Sequence, residues 1–435
     1  MIKKRNLILL LGMSLTLTSC VMKQKDKNNF QNNINLIELS ESYSHTLTDG
    51  SYKKNNFFSN FNEEAQKTID KNNLYQSIEH INRITGPMKN IEKTQVTEQS
   101  VLLQIDNEKR KSSEIYSYDI NGKLTNLSLF PGPIKKRNSK SYTVEPVELH
   151  SDNLIIPGAL TIPKNIKNPK IAIMVTGLGP YDMDETIGLS GNQPFKNIAL
   201  TLATNGIATL RYDKSILHGN SRNTIEDEYL NDFNTAYNFV ENLPNIDKEN
   251  IYIIAHDTGA SLAPSMAKDK NIKGIVLMSG SLRHLSDLIF DQNETLVNQS
   301  NGLSEEDKKI QLENASSEVL KAKNINLESK EEPFGLKPSY WNSLNQLDLK
   351  KDILSFNGNL FIIHGENDFQ SLPQRNYYEY IELLSGKDNV RFKLYEGLSH
   401  IFTPSDNNKY DMSVYDKKSY VSSEVTEDIS NWINE

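Results

Sequence analysis

Three polar residues, far apart in the sequence, have the types and the order that a hydrolytic triad needs. Asp257 stands in Ala-His-Asp-Thr-Gly-Ala (255–260), directly after an apolar run, and Asp368 and His400 each follow a later apolar segment. A strand followed by a turn with small flanking residues is typical of a nucleophile elbow, and there the nucleophile precedes the acid and the acid precedes the histidine. The pattern therefore predicts Asp257 as the nucleophile, Asp368 as the acid and His400 as the base.

An aspartate at the elbow changes the chemistry. A serine must give its proton to the histidine before it attacks, whereas a carboxylate is already ionised. Attack by Asp257 on an ester carbonyl would give a mixed anhydride, but attack on a saturated carbon gives an alkyl ester that histidine-activated water can hydrolyse. Two carboxylates near His400 favour its imidazolium form. The backbone N–H groups of Thr258 and of Leu178 or its neighbour are expected to form the oxyanion hole.

From Tyr142 onward, strand-like and helix-like segments alternate. Several strand candidates are continuous apolar runs, such as Ile171–Val175, which is typical of strands buried on both faces of a parallel sheet. The predicted strands are 142–149, 154–162, 170–176, 207–212, 251–256, 274–279, 360–364 and 390–395, and the predicted helices are 194–205, 227–242, 258–268, 374–385 and 421–433. The alternation predicts an α/β fold, a mostly parallel sheet with helices on both faces, over residues 140–435.

Two other regions have a different pattern. Residues 283–347 contain polar helical segments and no good strand, which predicts a helical cap inserted over the mouth of the sheet. Residues 56–133 predict a small α+β domain, with Pro131-Gly132-Pro133 and the basic run after it as a linker. The elements predicted in that small domain are a helix over 61–84 and strands at 101–105, 115–118 and 124–130.

The N-terminus has the pattern of an export signal. Basic residues at positions 3–5 precede an apolar stretch, 7–17, that is too short to span a bilayer. The sequence Leu-Thr-Ser-Cys that ends at Cys20 resembles the bacterial lipobox, so we expect removal of residues 1–19 and lipidation of this single cysteine. Residues 20–55 are rich in Asn, Lys and Ser, which predicts a flexible tether to the cell membrane or outer membrane.

Longer motifs resemble those of exported α/β hydrolases of the esterase type. The matching segments are Gly177–Gly188 (GLGPYDMDETIG), Leu210–Lys214 (LRYDK), Pro338–Trp341 (PSYW), Gly365–Gln370 (GENDFQ) and Gly397–Phe402 (GLSHIF). The resemblance covers about residues 142–434 and implies the α/β-hydrolase fold, small ester-type substrates and no cofactor. At the elbow the family has Gly-His-Ser-x-Gly-Gly, whereas this chain has aspartate, so the serine mechanism does not carry over.

Two other functions stay open. The altered site could bind a small molecule or peptide without hydrolysing it. Alternatively, the protein could hydrolyse epoxides or halides, because haloalkane dehalogenases and epoxide hydrolases use an aspartate nucleophile on this fold. Thr258 weighs against a dehalogenase, since a halide-binding tryptophan is typical at that position, whereas Tyr340 or Tyr181 could protonate an epoxide.

The remaining polar residues near the motifs are interpreted as structural. His256 is expected to pack at the elbow and His364 to cap a strand end. Asp182, Asp184 and Glu185 have the spacing of a solvated loop, so no metal site is predicted. The formal net charge of −8 argues against a nucleic-acid partner, because no excess of cations is available to neutralise phosphates.

Overall fold

A computed structural model describes residues 33–97, 99–151, 154–406 and 411–435. The described strands form two sheets, an N-terminal antiparallel sheet of four strands and a larger sheet of nine. The signal peptide predicted over residues 1–19, the predicted lipidation site Cys20 and the first part of the predicted tether lie outside the described residues. Within the described ranges, no helix is both long and apolar enough to span a bilayer.

The elements of the two units follow in chain order. The strands are β1 (Met88–Thr97), β2 (Ser100–Asn107), β3 (Arg110–Tyr118), β4 (Leu124–Ile134), β5 (Arg137–Asn138), β6 (Tyr142–Ser151), β7 (Leu154–Pro163), β8 (Ile171–Val175), β9 (Ala208–Tyr212), β10 (Ile251–His256), β11 (Gly274–Met278), β12 (Asn359–Gly365) and β13 (Val390–Tyr395). The α-helices are α1 (Asn33–Thr48), α2 (Glu63–Thr68), α3 (Lys71–Thr85), α4 (Pro194–Thr204), α5 (Asn231–Glu241), α6 (Asp257–Met266), α7 (Leu285–Gln299), α8 (Glu305–Lys323), α9 (Pro338–Asn345), α10 (Leu349–Ser355), α11 (Tyr377–Leu384) and α12 (Ser423–Asn434). A π-helical turn at Glu226–Leu230 leads into α5, and 3₁₀ turns lie at Phe57–Asn60, Ser215–His218, Pro333–Gly335 and Met412–Asp416.

The larger sheet has the order β13-β12-β11-β10-β8-β9-β7-β6-β5. Strands β8 to β13 pair with one another in parallel, and β7 joins β9 in the antiparallel direction. Every residue of β8, β10 and β11 is buried, because α5 and α6 cover one face of the sheet and α4 and α12 cover the other. This architecture confirms the α/β-hydrolase fold expected from the sequence.

The parallel strands bring the candidate residues to one edge of the sheet. Asp257 follows β10, Asp368 follows β12 and His400 follows β13, so all three lie beyond the carboxyl ends of parallel strands in one half of the sheet. Between β11 and β12 the chain forms α7, α8, α9 and α10, with α7 to α9 in the region predicted to be a helical cap. The fold therefore positions the three residues and adds a helical insertion after β11.

The prediction of a flexible tether is wrong for residues 33–55, because Asn33–Thr48 forms α1. Leu36, Ser40, Ser44 and Leu47 are buried on one side of this helix, and Ser40 Oγ lies 2.6 Å from the hydroxyl oxygen of Tyr118 in β3. The spacing of these four residues is that of one helical face. The polar composition of the segment hides this spacing, and the N-terminal unit therefore begins at least as early as residue 33 rather than at 56.

We expect Leu47→Ala to lower the free energy of unfolding by about 2–4 kcal/mol, because it truncates a buried core side chain. Chemical denaturation measures the change, with Glu38→Ala on the exposed side of the same helix as the control. Equal stability of the Leu47→Ala variant and the unaltered protein would instead support a tether in this segment.

Three further boundaries of the small domain differ from the prediction. The helix expected over 61–84 is two helices, α2 and α3, because Asp70 caps the start of α3 by accepting a hydrogen bond from Asn73 N at 2.9 Å. β4 continues through Pro131-Gly132-Pro133, which was predicted to be a linker. β4 is an edge strand, where proline is tolerated because no partner requires its missing N–H. β1 was not predicted at all.

A buried ion pair joins the two units. Arg110, at the start of β3, donates to both carboxylate oxygens of Asp213, at 3.1 and 2.7 Å. Asp213 also accepts a hydrogen bond from Met183 N at 2.8 Å. The N-terminal sheet is thereby tied to the loop that follows β8, which carries part of the candidate site.

Candidate active site

Asp257 stands on a tight turn between the end of β10 and the start of α6. Its backbone is left-handed, with a φ of 52°, a conformation that costs a non-glycine residue about 1–3 kcal/mol and is common at functional sites. Two glycines make room for this turn. A Cβ atom on Gly259 would lie 2.5 Å from Thr176 O, and one on Gly177 would lie 2.8 Å from Asp257 Oδ2. The backbone therefore has the geometry of the predicted nucleophile elbow.

The side chains of Asp368 and His400 are in contact, as predicted. His400 Nδ1 lies 2.8 Å from Asp368 Oδ2, and both residues are buried. The other oxygen of the Asp368 carboxylate accepts hydrogen bonds from the backbone N–H groups of Gln370 and Ser371, at 2.9 and 2.8 Å. This arrangement fixes the imidazole ring and leaves Nε2 as the nitrogen of His400 that can act on a bound molecule.

A second imidazole, that of His364, lies against the same carboxylate. His364 Nε2 is 3.2 Å from Asp368 Oδ2 and 2.6 Å from Ser371 O. Burial alone would raise the pKa of Asp368, but the charges and hydrogen bonds of His400 and His364 lower it below its ordinary value. The interpretation of His364 as the cap of a strand end misses this contact with the predicted acid.

One oxygen of Asp257 occupies the predicted oxyanion hole. The backbone N–H of Leu178 donates to Asp257 Oδ2 at 3.0 Å, and the hydroxyl oxygen of Thr258 lies 3.4 Å from the same atom. Thr258 is also in the first turn of α6, where backbone N–H groups have no acceptor inside the helix. Of the two predicted oxyanion donors, the backbone N–H of Leu178 contacts an oxygen of the elbow residue itself, whereas Thr258 approaches that oxygen through its hydroxyl.

A buried carboxylate, that of Glu228, fixes the loop that carries the oxyanion donors. Its Oε1 accepts hydrogen bonds from Gly179 N and Lys214 Nζ, at 2.8 and 2.7 Å. Its Oε2 accepts from Arg222 Nε and the hydroxyl of Tyr340, at 2.6 and 2.8 Å. Burial alone would raise the pKa of Glu228, but the two cations lower it to about 2. Glu228 was not among the residues predicted for the site, because two of its partners, Gly179 and Tyr340, lie 49 and 112 residues away in the sequence.

The hydrogen bond between Tyr340 and Glu228 rules out Tyr340 as the acid for an epoxide. Its hydroxyl donates to Glu228 and its side chain is fully buried. Burial and the adjacent carboxylate raise the pKa of Tyr340 well above its ordinary value. The alternative in which Tyr340 protonates an epoxide is therefore wrong, whereas Tyr181 does line the cavity beside Asp257.

His256 links the oxyanion loop to the backbone of His400. Its Nδ1 lies 2.9 Å from Glu185 Oε1 and its Nε2 lies 3.0 Å from His400 O. Glu185 Oε1 also accepts a hydrogen bond from Gly177 N at 2.8 Å. Burial alone would lower the pKa of His256, but Glu185 and then Asp257 raise it to about 9. The side chain is therefore more than packing at the elbow: its imidazolium connects the two halves of the site.

The acidic residues after the oxyanion loop are not solvated, in contrast to the prediction. Asp182, Asp184 and Glu185 are all buried. Asp182 accepts hydrogen bonds from the backbone and side chain of Thr186, and Asp184 pairs with Arg211. Each carboxylate thus has its own partners. In the part of the chain that the structure describes, no group of three or more His, Cys, Asp or Glu residues is arranged to hold a metal ion.

The raised pKa of His256 predicts a loss of stability at alkaline pH. The contribution of the charged His256 to the free energy of unfolding is fully present below about pH 6.5, the ordinary pKa of histidine. This contribution is lost as the pH rises through about 9, the pKa of His256 in the folded chain. The loss amounts to up to about 3 kcal/mol. We expect Glu185→Gln to flatten the stability profile over this range, measured by urea unfolding at several pH values. Glu148→Gln, at an exposed position, is the control, and identical profiles for Glu185→Gln and the unaltered protein would contradict the assignment.

Asp257 and His400 line one small cavity, together with Leu178 and Thr258. Its volume is about 40 Å³, which holds one or a few water molecules. Helix α7 contributes the side chains of Leu285, Leu288 and Gln292 to its wall. The first helix of the insertion therefore borders the space beside Asp257.

The chain is similar to one family model, one curated protein and several solved structures. The family described as BAAT / acyl-CoA thioester hydrolase C terminal matches residues 225–336. Esterase EstD of Thermotoga maritima is 27% identical over 327 residues, which cover 74% of this chain and 76% of the relative. Among solved structures, Est1E from Butyrivibrio proteoclasticus has a TM-score of 0.40 and 17% identity, over 66% of this chain and 97% of that one. The Pyrococcus furiosus esterase Pf2001 has a TM-score of 0.43 and 14% identity, over 71% and 97%.

The sequence matches and the geometry both indicate the fold of this chain. The family match spans the elbow and most of the helical insertion, and the Thermotoga esterase is similar over most of its own length. The strand order and the elbow independently give the fold. We conclude that the chain has the α/β-hydrolase fold and is similar in sequence to an esterase.

Proposed function

We propose that this protein hydrolyses small ester-type molecules with the carboxylate of Asp257 as the nucleophile and the Asp368–His400 pair as the base. The observation that carries the proposal is the hydrogen bond from Leu178 N to Asp257 Oδ2, at 3.0 Å. It fixes one carboxylate oxygen and leaves Oδ1 to attack. His400 lines the same cavity, with its Nδ1 held by Asp368, so its Nε2 can take a proton from water.

The first step forms a covalent ester of Asp257. Oδ1 attacks the saturated carbon on the alcohol side of the substrate, a new C–O bond forms, and the bond from that carbon to the carboxylate oxygen breaks. The acid product leaves as a carboxylate. This route avoids the mixed anhydride that attack on the acyl carbon would give. An epoxide would open by the same displacement, with Tyr181 in the cavity wall as the nearby hydroxyl.

The second step releases the alcohol and restores the enzyme. His400 Nε2 takes a proton from water, and the water oxygen attacks Cγ of Asp257. Negative charge develops on Oδ2, which already accepts the Leu178 N–H, so the donor is in place before the reaction starts. The alcohol then leaves with the proton from His400, the ester bond to Asp257 is broken, and the resulting carboxylic acid of Asp257 releases its proton to water, which restores the carboxylate.

A second candidate function is ligand binding without hydrolysis. It is favoured by the same oxygen of Asp257, because this oxygen fills the place where an ester carbonyl would receive the hydrogen bond of Leu178. The small volume of the cavity also favours a bound molecule of only a few atoms.

An activity screen with a serine variant separates these two functions. The panel contains p-nitrophenyl esters, benzyl esters and styrene oxide, and the proteins are the unaltered chain, Asp257→Ser and His400→Ala. Under the proposed mechanism the unaltered chain turns over a benzyl ester or the epoxide, and His400→Ala stops after one turnover. If only Asp257→Ser hydrolyses any member of the panel, the natural site is a binding site and the proposal fails.

We also propose that the mature chain begins at a lipidated Cys20 and is held at a bacterial membrane. Support comes from the lipobox-like Leu-Thr-Ser-Cys that ends at residue 20. Cells grown with radiolabelled palmitate are expected to label the unaltered chain and Ser19→Ala, but not Cys20→Ser. Label in the Cys20→Ser variant, or its absence from the unaltered chain, would contradict lipidation at this residue.

A further inference from the structure

A second cavity, of about 180 Å³, lies between the N-terminal unit and the α/β-hydrolase domain. Its volume corresponds to roughly six water molecules at about 30 Å³ each. One part of its wall is apolar and includes Ile84 and Ile134 from the N-terminal unit and Leu200 from α4. The cavity lies away from Asp257 and His400, neither of which lines it.

Another part of the wall carries more positive than negative charge. Arg137, Lys196 and Arg211 all line the cavity, and Asp184 is the carboxylate that pairs with Lys196 and Arg211. Within the described ranges, Arg137 forms no salt bridge. Three cations around one carboxylate leave a surplus of about two positive charges. Asp182, whose pKa burial raises to about 7, offsets at most one of them.

Arg211 also has an unused hydrogen-bond donor. The residue is only 2% exposed, and among the described residues its Nε has no hydrogen-bond acceptor. A buried guanidinium N–H without an acceptor is costly, so Arg211 keeps donor capacity that its pairing with Asp184 does not use. Two further cations of the wall already have partners: Arg110 pairs with Asp213, and Lys109 Nζ donates to Arg83 O at 2.8 Å.

We propose that this cavity binds a small organic anion. Its carboxylate or phosphate group would be held by Arg137, Lys196 and Arg211, and its apolar body would lie against Ile84 and Leu200. Guanidinium and ammonium groups bind either oxyanion through charge-assisted hydrogen bonds. The site is separate from the proposed hydrolytic site, so it does not depend on the function proposed for Asp257.

Calorimetric titration of the full-length chain in mild detergent tests this site. The probes are benzoate, phenyl phosphate, inorganic phosphate and, as a neutral control, benzyl alcohol. We expect saturable binding of benzoate or phenyl phosphate, weaker binding of inorganic phosphate and none of benzyl alcohol. The two aromatic probes show whether the site prefers a carboxylate or a phosphate.

Variants locate the binding. Arg137→Gln and Lys196→Gln are each expected to weaken the preferred aromatic anion about tenfold, because each removes one charged donor. Lys136→Gln removes the same charge one residue away, at an exposed side chain paired with Glu145, and is expected to leave the affinity unchanged. Thermal melting without ligand checks that the variants are folded. No binding up to millimolar anion, or an equal loss in Lys136→Gln, would overturn the proposal.

Discussion

Asp257→Asn is expected to lower kcat for the accepted substrate by a factor of about 10³–10⁵. An amide oxygen is a far weaker nucleophile than a carboxylate, yet asparagine has nearly the same shape and tolerates the left-handed backbone of the elbow. Its side-chain oxygen can still accept the Leu178 N–H, so the oxyanion loop keeps its contact. The loss therefore reports on nucleophilicity rather than on folding.

A matched control for this variant is Asp269→Asn. Asp269 is also an aspartate with a left-handed backbone, but it is exposed at the end of the turn after α6. Its replacement is expected to change kcat by less than about twofold. An Asp257→Asn variant with the turnover of the unaltered chain, and with an unchanged melting temperature, would show that Asp257 is not the nucleophile.

Glu228→Gln is expected to lower the free energy of unfolding by about 3–5 kcal/mol, the cost of removing one partner from a buried ion pair. The neutral amide leaves the buried Lys214 and the partly buried Arg222 without a charged partner, both within 2.7 Å of the carboxylate in the unaltered chain. Gly179 N and the hydroxyl of Tyr340 also lose a charged acceptor. Denaturant unfolding measures this change directly.

The same variant should also impair hydrolysis, because Glu228 holds the loop that carries Leu178. At a temperature where Glu228→Gln is still folded, we expect kcat to fall at least about tenfold. Glu226→Gln, on the same π-helical turn, changes the same group at a less buried position and serves as the control. A stability loss below about 1 kcal/mol in Glu228→Gln would mean that the cluster does not hold the loop.

Much of the main domain could be predicted from the sequence because its strands are continuous apolar runs. Each strand predicted between residues 142 and 395 is present, and the elbow lies at the predicted turn. The segment 33–48 was mistaken for a tether because its buried face includes two serines, Ser40 and Ser44, which composition counts as polar. The helical spacing of Leu36, Ser40, Ser44 and Leu47 is the pattern that predicts α1.

Only part of the candidate site could be predicted, namely the part that follows from the order of the residues in the chain. The acid precedes the histidine in the chain, as in other proteins of this fold, and this order predicted the contact between Asp368 and His400. The Glu228 cluster depends on Gly179 and Tyr340, which lie 49 and 112 residues away in the sequence, so no local pattern reveals it. Lys214 and Tyr340 each lie in a motif that resembles the esterase-type family. Because both side chains bind the carboxylate of Glu228, these two motifs were the only sequence feature that pointed towards the cluster.

The covalent role of Asp257 is tested most directly by a single turnover in heavy-oxygen water. Enzyme in excess reacts with a substrate found in the screen, and mass spectrometry then measures the peptide that contains Asp257. Because water attacks Cγ of this residue in the second step, we expect one heavy oxygen in its carboxylate and none in the Asp368 peptide. Full turnover with an unlabelled Asp257 peptide, and with all heavy oxygen in the product, would contradict the mechanism.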